Sequence, residues 1–376
     1  MTPPQPPTHW PTARVALCHD WLSGMRGGER VLEILCEAYP EAPLYTLLAD
    51  PAVVSEPIRN RTIHTSWLQK IPHITRNYRM LLPLFPAAVR SLKPAPADIL
   101  ISTSHCVAKS IRTPAHCHHL CYCFTPMRYA WTFQEEYLGS KMRKTIAAPL
   151  LAALRQWDAR TASRVDTFIA ISRYVQTRIQ NFYEREAKVI YPPVDTDRCS
   201  PGKTPGSCDY DLIVSALVPY KRIDLAIEAY NRTGYPLRIV GTGGSRNTLE
   251  ARAQPNITFE GWQPDEVVLE RYRNCRLLVF PGEEDFGIVP LEAQACGKPV
   301  VAYNRGGACE TILPNQTGIF FERQTPEDLA NAIQLAGKRA WDAHAIRRHA
   351  QTFSNAVFIT AMQDAVRTCL EPGPSR

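Results

Sequence analysis

Two glutamates eight positions apart, Glu284 and Glu292, occur in the run FPGEEDFGIVPLEAQACG (280–297). Phe280 ends an apolar stretch typical of a buried strand, and Gly297 closes a stretch with helical periodicity. Glu284 therefore lies at a predicted strand-to-helix turn, where backbone N–H groups and the helix dipole bind phosphate. Glu292, about two helical turns further on, could accept hydrogen bonds from ribose hydroxyls. Taken singly, the two residues could instead be a helix cap and a surface ion pair.

The first part of the chain alternates short apolar runs with segments of helical or loop character. The runs are ARVALCHD (13–20), ADILIST (97–103), HHLCYCF (118–124) and DTFIAIS (166–172). Such alternation is typical of βαβ units and predicts a parallel sheet. We therefore expect a first α/β domain over residues 13–195.

A second domain of the same kind is predicted after a linker. Residues 196–210 are rich in Pro, Gly, Ser and Asp, and the alternation then restarts over residues 211–354. Ligands of open parallel sheets bind beyond the carboxyl ends of the strands, so both domains would present loops to a cleft. Residues 1–12 are predicted to be a disordered tail. Residues 355–370 are predicted to form a helix that packs back on the first domain.

The composition is that of a globular protein, with 45% hydrophobic and 21% charged residues among 376. No apolar run reaches the roughly 18 residues that a membrane helix needs. The N-terminus lacks the layout of a signal peptide, so we expect a cytoplasmic protein. Most of the 12 cysteines lie in apolar, strand-like or helix-like segments. They are therefore predicted to be small buried hydrophobes rather than disulfide partners.

One short segment combines residue types that can bind zinc. No second ligand pair at zinc-finger spacing accompanies it, and its alternation suits a strand, so metal binding is the less favoured interpretation. The residues concerned are Cys117, His118, His119, Cys121 and Cys123.

The net charge of +7 is unevenly distributed. Residues 57–93 contain seven Lys or Arg and no acidic residue, interleaved with bulky apolar side chains such as Trp67, Leu68 and Met80. This mixture is typical of a segment that lies on an anionic membrane surface. The alternative is a solvated basic face beside an ordinary core helix. No nucleic-acid-binding motif accompanies the charge, so a nucleic-acid partner is not expected.

The run EDFGIVPLEAQACGKPVVA, from Glu284 through Glu292, resembles the signature of family 4 retaining glycosyltransferases. That resemblance implies the GT-B fold, an α/β architecture of two Rossmann-like domains facing a cleft. It covers nearly the whole chain, and the first-domain runs resemble bacterial mannosyltransferases that build surface polysaccharides. The other matching runs are GGER (27–30), YCFTPMRYAW (122–131), SALVPYKRID (215–224), IVGTGG (239–244), Gly306–Gly307 with Glu310, and TGIFFE (317–322).

The resemblance implies a role for each matching residue. Lys221 would neutralise the donor diphosphate in place of a metal ion, with Arg222 a weaker candidate, and no cofactor is implied. Glu284 would bind hydroxyls of the donor sugar, and Glu292 would bind the ribose. Further donor contacts are implied for the backbone of Phe286, Gly287 and Ile288, and for Gly27 and Gly28, which could otherwise form an ordinary tight turn.

The run IVGTGG resembles a dinucleotide fingerprint only in part. It lacks the third spaced glycine and the downstream acid of that fingerprint, so NAD binding is not favoured.

Two positions depart from the family pattern. Ala216 stands where many members have an arginine, and Phe124 stands where many related sequences have a histidine. His105, after the run ADILIS, is then the nearest candidate for a polar group at the reacting centre, although it could be structural. Arg128 and Tyr129 are candidates for the acceptor pocket.

The implied activity is transfer of a hexose, mannose from GDP-mannose being favoured, to a lipid-linked or oligosaccharide acceptor in surface polysaccharide biosynthesis. Within the same fold, an epimerase or a phosphorylase is an alternative. A catalytically silent relative that acts as a binding subunit is another, because of Ala216 and Phe124. The protein would then be cytoplasmic, with peripheral contact to the inner face of the cell membrane.

Overall fold

The chain folds into two compact units, each of which contains one parallel sheet. The first unit comprises residues 1–193 and 356–376, and the second comprises residues 194–355. The predicted tail and linker lie partly outside the described residues. The computed structural model describes residues 9–132, 141–202 and 208–371, without the side chains of Arg76 and of residues 141–147.

The sheet of the first unit has seven parallel strands in the order β3-β2-β1-β4-β5-β6-β7. The four strands predicted from apolar runs appear as β1, β4, β5 and β6. Strands β2 and β3, with the residues LYT and IHT, do not form apolar runs and were not predicted. The strands are β1 (Val15–His19), β2 (Leu44–Thr46), β3 (Ile63–Thr65), β4 (Ile99–Ser104), β5 (His118–Cys123), β6 (Thr167–Ala170) and β7 (Ala187–Val189).

Helices and helical turns connect these strands. The helix Gly27–Ala38 buries Val31, Leu32 and Leu35 completely, in the spacing of an amphipathic helix. The central strands β1 and β4 are buried at every position, as expected where helices cover a parallel sheet. The remaining helices are Glu56–Arg59, Ile74–Asn77, Phe85–Ser91, Arg128–Trp131, Lys141–Ala162 and Arg173–Tyr183, with 3-10 turns at Pro51–Val53, Trp67–Lys70, Tyr78–Leu84 and Ala108–Ser110.

The second unit has a six-stranded parallel sheet in the order β10-β9-β8-β11-β12-β13. Together with the first sheet it confirms the predicted pair of Rossmann-like domains. The strands are β8 (Asp211–Val214), β9 (Leu237–Val240), β10 (Ile257–Gly261), β11 (Leu278–Phe280), β12 (Val300–Tyr303) and β13 (Gly318–Phe321). The helices are Ile223–Thr233, Arg246–Glu250, Asp265–Asn274, Ile288–Ala295, Ala308–Thr311, Pro326–Lys338 and Ala343–Gln351, with a 3-10 turn at Pro219–Lys221.

The last helix, Asn355–Leu370, belongs to the first unit from residue 356 onward. The Phe358 ring packs edge-on against Tyr122, with 5.7 Å between the ring centroids. Near the other end of the helix, Cys369 Sγ lies 3.6 Å from Thr167 Oγ1. Among the described residues, no helix is long and apolar enough to cross a membrane.

A buried ion pair and its hydrogen-bond donors join four helical segments of the first unit. Lys109 Nζ lies 3.0 Å from Asp158 Oδ1 and donates to the Asp158 carbonyl oxygen at 2.7 Å. Trp131 Nε1 and the Tyr183 hydroxyl donate to Asp158 Oδ2 at 2.8 and 2.7 Å. A buried charge is tolerated only when such partners satisfy it. The pair therefore holds the short helix Arg128–Trp131 against the unit's core.

Replacing Asp158 with alanine should cost about 3–5 kcal/mol of the free energy of unfolding, because Lys109 would stay buried without its counter-charge. Changing both charges, in a Lys109→Met, Asp158→Asn variant, should cost less than the single change. Urea titration followed by circular dichroism measures both. Asp364→Asn, which breaks the exposed pair of Asp364 with Arg367, is the control and should have a much smaller effect. Equal losses in the single and double variants would contradict this account.

Candidate functional site

Two loops of the second unit bring Lys221 and Glu284 together. Strands β8 and β11 are neighbours in the sheet, with Leu212 paired to Leu278. The segments that follow them therefore leave the same edge of the sheet. Lys221 Nζ forms an ion pair with Glu284 Oε1, and the two side chains are only 19% and 14% exposed. Lys221 and Glu284, predicted to contact different parts of the sugar donor, are thus direct partners in the structure.

The helix after Glu284 begins as predicted, at Ile288, and runs to Ala295. Gly287 precedes its first turn with φ +103°, a conformation that side chains strongly disfavour. Since glycine has no side chain, it leaves the backbone N–H groups of the first turn available to an anion. Gly297 ends the helix with φ +78°, the usual geometry of a glycine C-cap.

The loop that carries Glu284 and Phe286 packs tightly on Gly306 and Gly307, in the turn that follows β12. Gly307 N donates to the Glu284 carbonyl oxygen at 2.8 Å. A side chain at Gly307 would collide with the loop, because its Cβ would lie 2.2 Å from Phe286 Cα. Phe286 itself is 3% exposed. This contact fixes the backbone that the family resemblance assigns to donor binding.

Glu292 is half-buried and has a defined partner. The Tyr272 hydroxyl donates to Glu292 Oε2 at 2.8 Å. Burial raises the pKa of Tyr272, and the nearby Glu292 carboxylate raises it further, so the tyrosine stays protonated and remains a donor. The bond orients the Glu292 carboxylate. Tyr272 was not predicted from the sequence.

Arg222 lies in a strained turn directly before the helix Ile223–Thr233. Its φ is +54°, and its Nη1 donates to Gln324 Oε1 at 2.8 Å. The Gln324 amide donates in turn to the Pro281 carbonyl oxygen at 3.0 Å, in the loop before Glu284. Arg222 is therefore connected to the loop between β11 and the helix.

Two glycines of IVGTGG, Gly241 and Gly243, allow close packing of neighbouring loops. A Cβ at Gly241 would lie 1.9 Å from the Ser215 carbonyl oxygen. In the same loop, the Thr242 carbonyl oxygen accepts a hydrogen bond of 2.9 Å from Leu217 N. The segments after β8 and β9 therefore lie in direct contact, close to Ala216.

In the first unit, strand β1 ends at His19 and the helix Gly27–Ala38 begins at the predicted glycine pair. A Cβ at Gly28 would lie 3.3 Å from the Phe124 ring and 3.7 Å from His19 Cε1. Gly28 therefore allows this helix to approach the ends of β1 and β5.

His105 follows β4, the neighbour of β1, and stands beside a buried carboxylate. Its Nδ1 lies 3.1 Å from Asp20 Oδ2. Asp20 is fully buried and accepts four backbone N–H bonds of 2.6–2.9 Å, from residues 105–108. Removal of water from the ring lowers the pKa of His105, against the opposing attraction of Asp20. The histidine is therefore neutral at neutral pH.

A second histidine and carboxylate lie next to this pair. His19 Nδ1 lies 2.7 Å from Thr103 Oγ1, and His19 Nε2 lies 3.8 Å from Glu29 Oε1. Glu29 also accepts a bond from Arg26 N at 3.1 Å, as a helix-capping residue does. Sequence reasoning missed Asp20, His19 and Glu29. The pair HD at the end of the first apolar run was the available signal, since strand ends meet at one edge.

The candidate acceptor residues lie on the short helix Arg128–Trp131. The Tyr129 ring is 6.5 Å from Trp21, and Trp21 packs edge-on against His105 with 4.5 Å between centroids. Tyr129 and His105 thus share one aromatic neighbour. Arg128 is half-buried on the same helix.

The structure brings Lys221 into contact with Glu284, and the helix Ile288–Ala295 that follows this loop carries Glu292. In the first unit it places Gly28 beside Phe124, and both His105 and Tyr129 beside Trp21. Among residues 9–132, 141–202 and 208–371, no three His, Cys, Asp or Glu side chains form a metal-binding group. In the segment considered for zinc, His119 Nε2 pairs with Ser102 Oγ at 2.8 Å, and His118 Nε2 pairs with Thr167 Oγ1 at 2.9 Å.

The basic segment 57–93 exposes part of its apolar content. Trp67 is 39%, Met80 80% and Leu84 40% exposed, whereas Leu68 is fully buried. The segment is built from short helical turns around several prolines rather than one core helix. Its described basic side chains at Lys70, Arg79, Arg90 and Lys93 are exposed.

Two curated relatives match part of the chain. An uncharacterized glycosyltransferase of Methanocaldococcus jannaschii is 26% identical over 222 residues, which covers 54% of this chain and 62% of that protein. A GDP-mannose-dependent alpha-(1-6)-phosphatidylinositol monomannoside mannosyltransferase of Mycolicibacterium smegmatis is 31% identical over 210 residues, 46% of this chain and 55% of that protein. The matches thus span little more than half the length of these relatives.

Solved structures share the fold. The Anabaena protein HepE, solved with UDP and glucose, has a TM-score of 0.68 at 18% identity, covering 95% of this chain and 100% of that one. The family model described as Glycosyltransferase Family 4 matches residues 25–198, and the model described as Glycosyl transferases group 1 matches residues 208–352. Models that match both halves, together with the shared fold, identify the chain as a glycosyltransferase of the family 4 type with the GT-B fold.

Proposed function

We propose that this chain transfers a hexose from a nucleoside diphosphate donor to an acceptor hydroxyl, with retention at the anomeric carbon. The observation that carries the proposal is the largely buried ion pair of Lys221 with Glu284, next to the start of the helix Ile288–Ala295. A cation, a carboxylate and the N–H groups of a helix start lie together at one edge of a parallel sheet. That combination suits a sugar linked to a diphosphate.

The chemistry needs stabilisation of the leaving group more than it needs an enzyme base. As the bond between the anomeric carbon and the diphosphate oxygen breaks, negative charge grows on the diphosphate. Lys221 and the N–H groups of the first helical turn stabilise that charge. The acceptor oxygen bonds to the same face of the anomeric carbon, and its proton passes to the departing phosphate. No metal ion takes part in this scheme.

Donor binding changes the partner of Lys221. In the structure, the Lys221 ammonium is neutralised by Glu284. A diphosphate is a stronger anion for the ammonium, so Glu284 becomes available to accept hydrogen bonds from sugar hydroxyls. At the other end of the donor, the Glu292 carboxylate, oriented by Tyr272, binds the ribose.

GDP-mannose is the proposed donor. Support comes from the mycobacterial relative, which is named as a GDP-mannose-dependent mannosyltransferase, and from the resemblance of residues 122–131 to polysaccharide mannosyltransferases. UDP-sugars are the competing donors, since the Anabaena structure contains UDP. The proposed acceptor is a lipid-linked sugar or oligosaccharide of surface polysaccharide assembly, reached from the cytoplasmic side of the membrane.

A Lys221→Ala variant should lose about a hundredfold in kcat, because it removes the charge that stabilises the leaving diphosphate. Affinity for the nucleotide should fall as well. A thermal-shift screen of GDP, UDP and ADP first identifies the nucleotide, and release of that nucleotide from its sugar donor then measures turnover. Lys338→Ala, an exposed lysine at a helix end of the same unit, is the matched control.

The same assay separates the competing functions. Turnover of donor to an isomeric sugar without any acceptor would indicate an epimerase, and a requirement for inorganic phosphate would indicate a phosphorylase. Nucleotide binding without any turnover would favour the silent binding subunit. If no nucleotide raises the melting temperature of the wild-type protein, the proposed function is wrong.

Membrane contact through the segment 57–93 has its own test. Trp67→Glu combined with Met80→Glu should reduce co-sedimentation with phosphatidylglycerol vesicles, because both side chains are exposed apolar residues within a basic surface. Nucleotide binding should be unchanged. Leu335→Glu, which alters a 58% exposed leucine outside the segment, is the control. Full co-sedimentation of the double variant would contradict a membrane role for this segment.

A further inference from the structure

Asp20, directly after β1, contacts a histidine side chain in addition to the backbone N–H groups that a capping carboxylate usually binds. Its two carboxylate oxygens accept four backbone N–H groups of the segment 105–108, and Oδ2 additionally faces His105 Nδ1 at 3.1 Å. The carboxylate is fully buried, and the bonds fix it in place. Because it can only accept, a lone pair on Nδ1 would be repelled at this distance. The contact therefore favours the tautomer in which Nδ1 of His105 carries the proton.

A neutral histidine with its proton on Nδ1 offers Nε2 as an acceptor. Within the part of the chain that the structure describes, no group bonds to His105 Nε2, and the side chain is 29% exposed. Around the ring stand Trp21, in edge contact at 4.5 Å between centroids, and Phe124 at 6.4 Å. The aromatic neighbours leave Nε2 as the polar group of this ring that can accept a directed bond from a ligand hydroxyl.

We infer that Asp20 is a positioning residue that holds His105 in the Nδ1-protonated form, so that His105 Nε2 accepts a hydrogen bond from a sugar hydroxyl. This inference rests on the proposed function for its ligand class, a sugar of the donor or of the acceptor. The inference gives the first unit one directed contact to the sugar. Phe124, which stands where many related sequences have a histidine, cannot supply such a contact.

The charges around His105 set its response to pH. Asp20 and Glu29 favour the protonated ring, whereas His19 and Arg128 oppose it, and the removal of water opposes it most strongly. The pKa of His105 therefore lies below its ordinary value. Protonation occupies Nε2 and removes the acceptor, so the contact is present at neutral pH and is lost as the pH falls below that pKa.

The tautomer can be measured without substrate. In protein labelled with ¹⁵N-histidine at pH 7.5, two-bond proton–nitrogen spectra should show His105 protonated at Nδ1 and bare at Nε2. The signals are assigned by their loss in His105→Gln. In Asp20→Asn, checked for folding by circular dichroism, the Nε2-protonated form should appear. A wild-type ring protonated at Nε2 would overturn the inference.

The ligand contact is tested by two isosteric variants. His105→Asn keeps a group near Nδ1 but removes the distal one, whereas His105→Gln keeps a polar group near Nε2. The ratio of the dissociation constants of GDP and GDP-mannose, measured by calorimetry, isolates the contribution of the sugar. If His105 contacts the donor sugar, this ratio should fall roughly three- to tenfold in His105→Asn and less in His105→Gln. His344→Gln, which alters an exposed histidine of the second unit, should leave the ratio unchanged.

An unchanged ratio combined with a raised KM for octyl α-D-mannoside in His105→Asn would place the contact on the acceptor instead. Equal behaviour of His105→Asn, His105→Gln and the wild-type protein in both measurements would overturn the contact. Absence of nucleotide binding in the wild-type protein would overturn the proposed function, while the tautomer measurement would still decide the role of Asp20.

Discussion

The chemistry of both units depends on the parallel pairing of neighbouring strands. Parallel strands end at one edge of a sheet, so residues far apart in the sequence meet when their strands are neighbours. Lys221 and Glu284 are separated by 63 positions and meet because β8 pairs with β11. His105 and Asp20 are separated by 85 positions and meet because β1 pairs with β4. In each unit, strand pairing therefore places a charged side chain beside its partner, Glu284 beside Lys221 and Asp20 beside His105.

Two fully buried aspartates of the first unit, Asp20 and Asp158, show how such charges are kept. Asp20 is stabilised by four backbone N–H donors, whereas Asp158 is stabilised by Lys109, Trp131 and Tyr183. Either carboxylate would be strongly destabilising without its partners. The backbone around each is therefore fixed in place. One aspartate fixes the segment that begins at His105, and the other fixes the helix that carries the candidate acceptor residues.

The features predicted correctly from the sequence are those that leave an apolar run or a glycine in it. The buried strands β1, β4, β5 and β6 appear as apolar runs because both faces of a parallel sheet are covered. The end of the helix Ile288–Ala295 was predicted from Gly297 as its C-cap. Strands β2 and β3 were missed, because their residues LYT and IHT do not form an apolar run. Side-chain pairs such as Tyr272 with Glu292 were missed too, because partners from different segments have no spacing in the sequence.

The two departures from the family pattern have different physical consequences. At Ala216, the arginine that the family resemblance would place is missing, and Arg222 is the nearest substitute in the sequence. Its guanidinium, however, is bonded to Gln324, which holds the loop before Glu284. Moving Arg222 away would release that loop, so under the proposed function the main diphosphate contact falls to Lys221 and the helix N–H groups. At Phe124, an apolar ring packs beside Gly28 and His105. With no polar side chain at position 124, the sugar contact inferred for the first unit is assigned to His105, which lies beside Asp20.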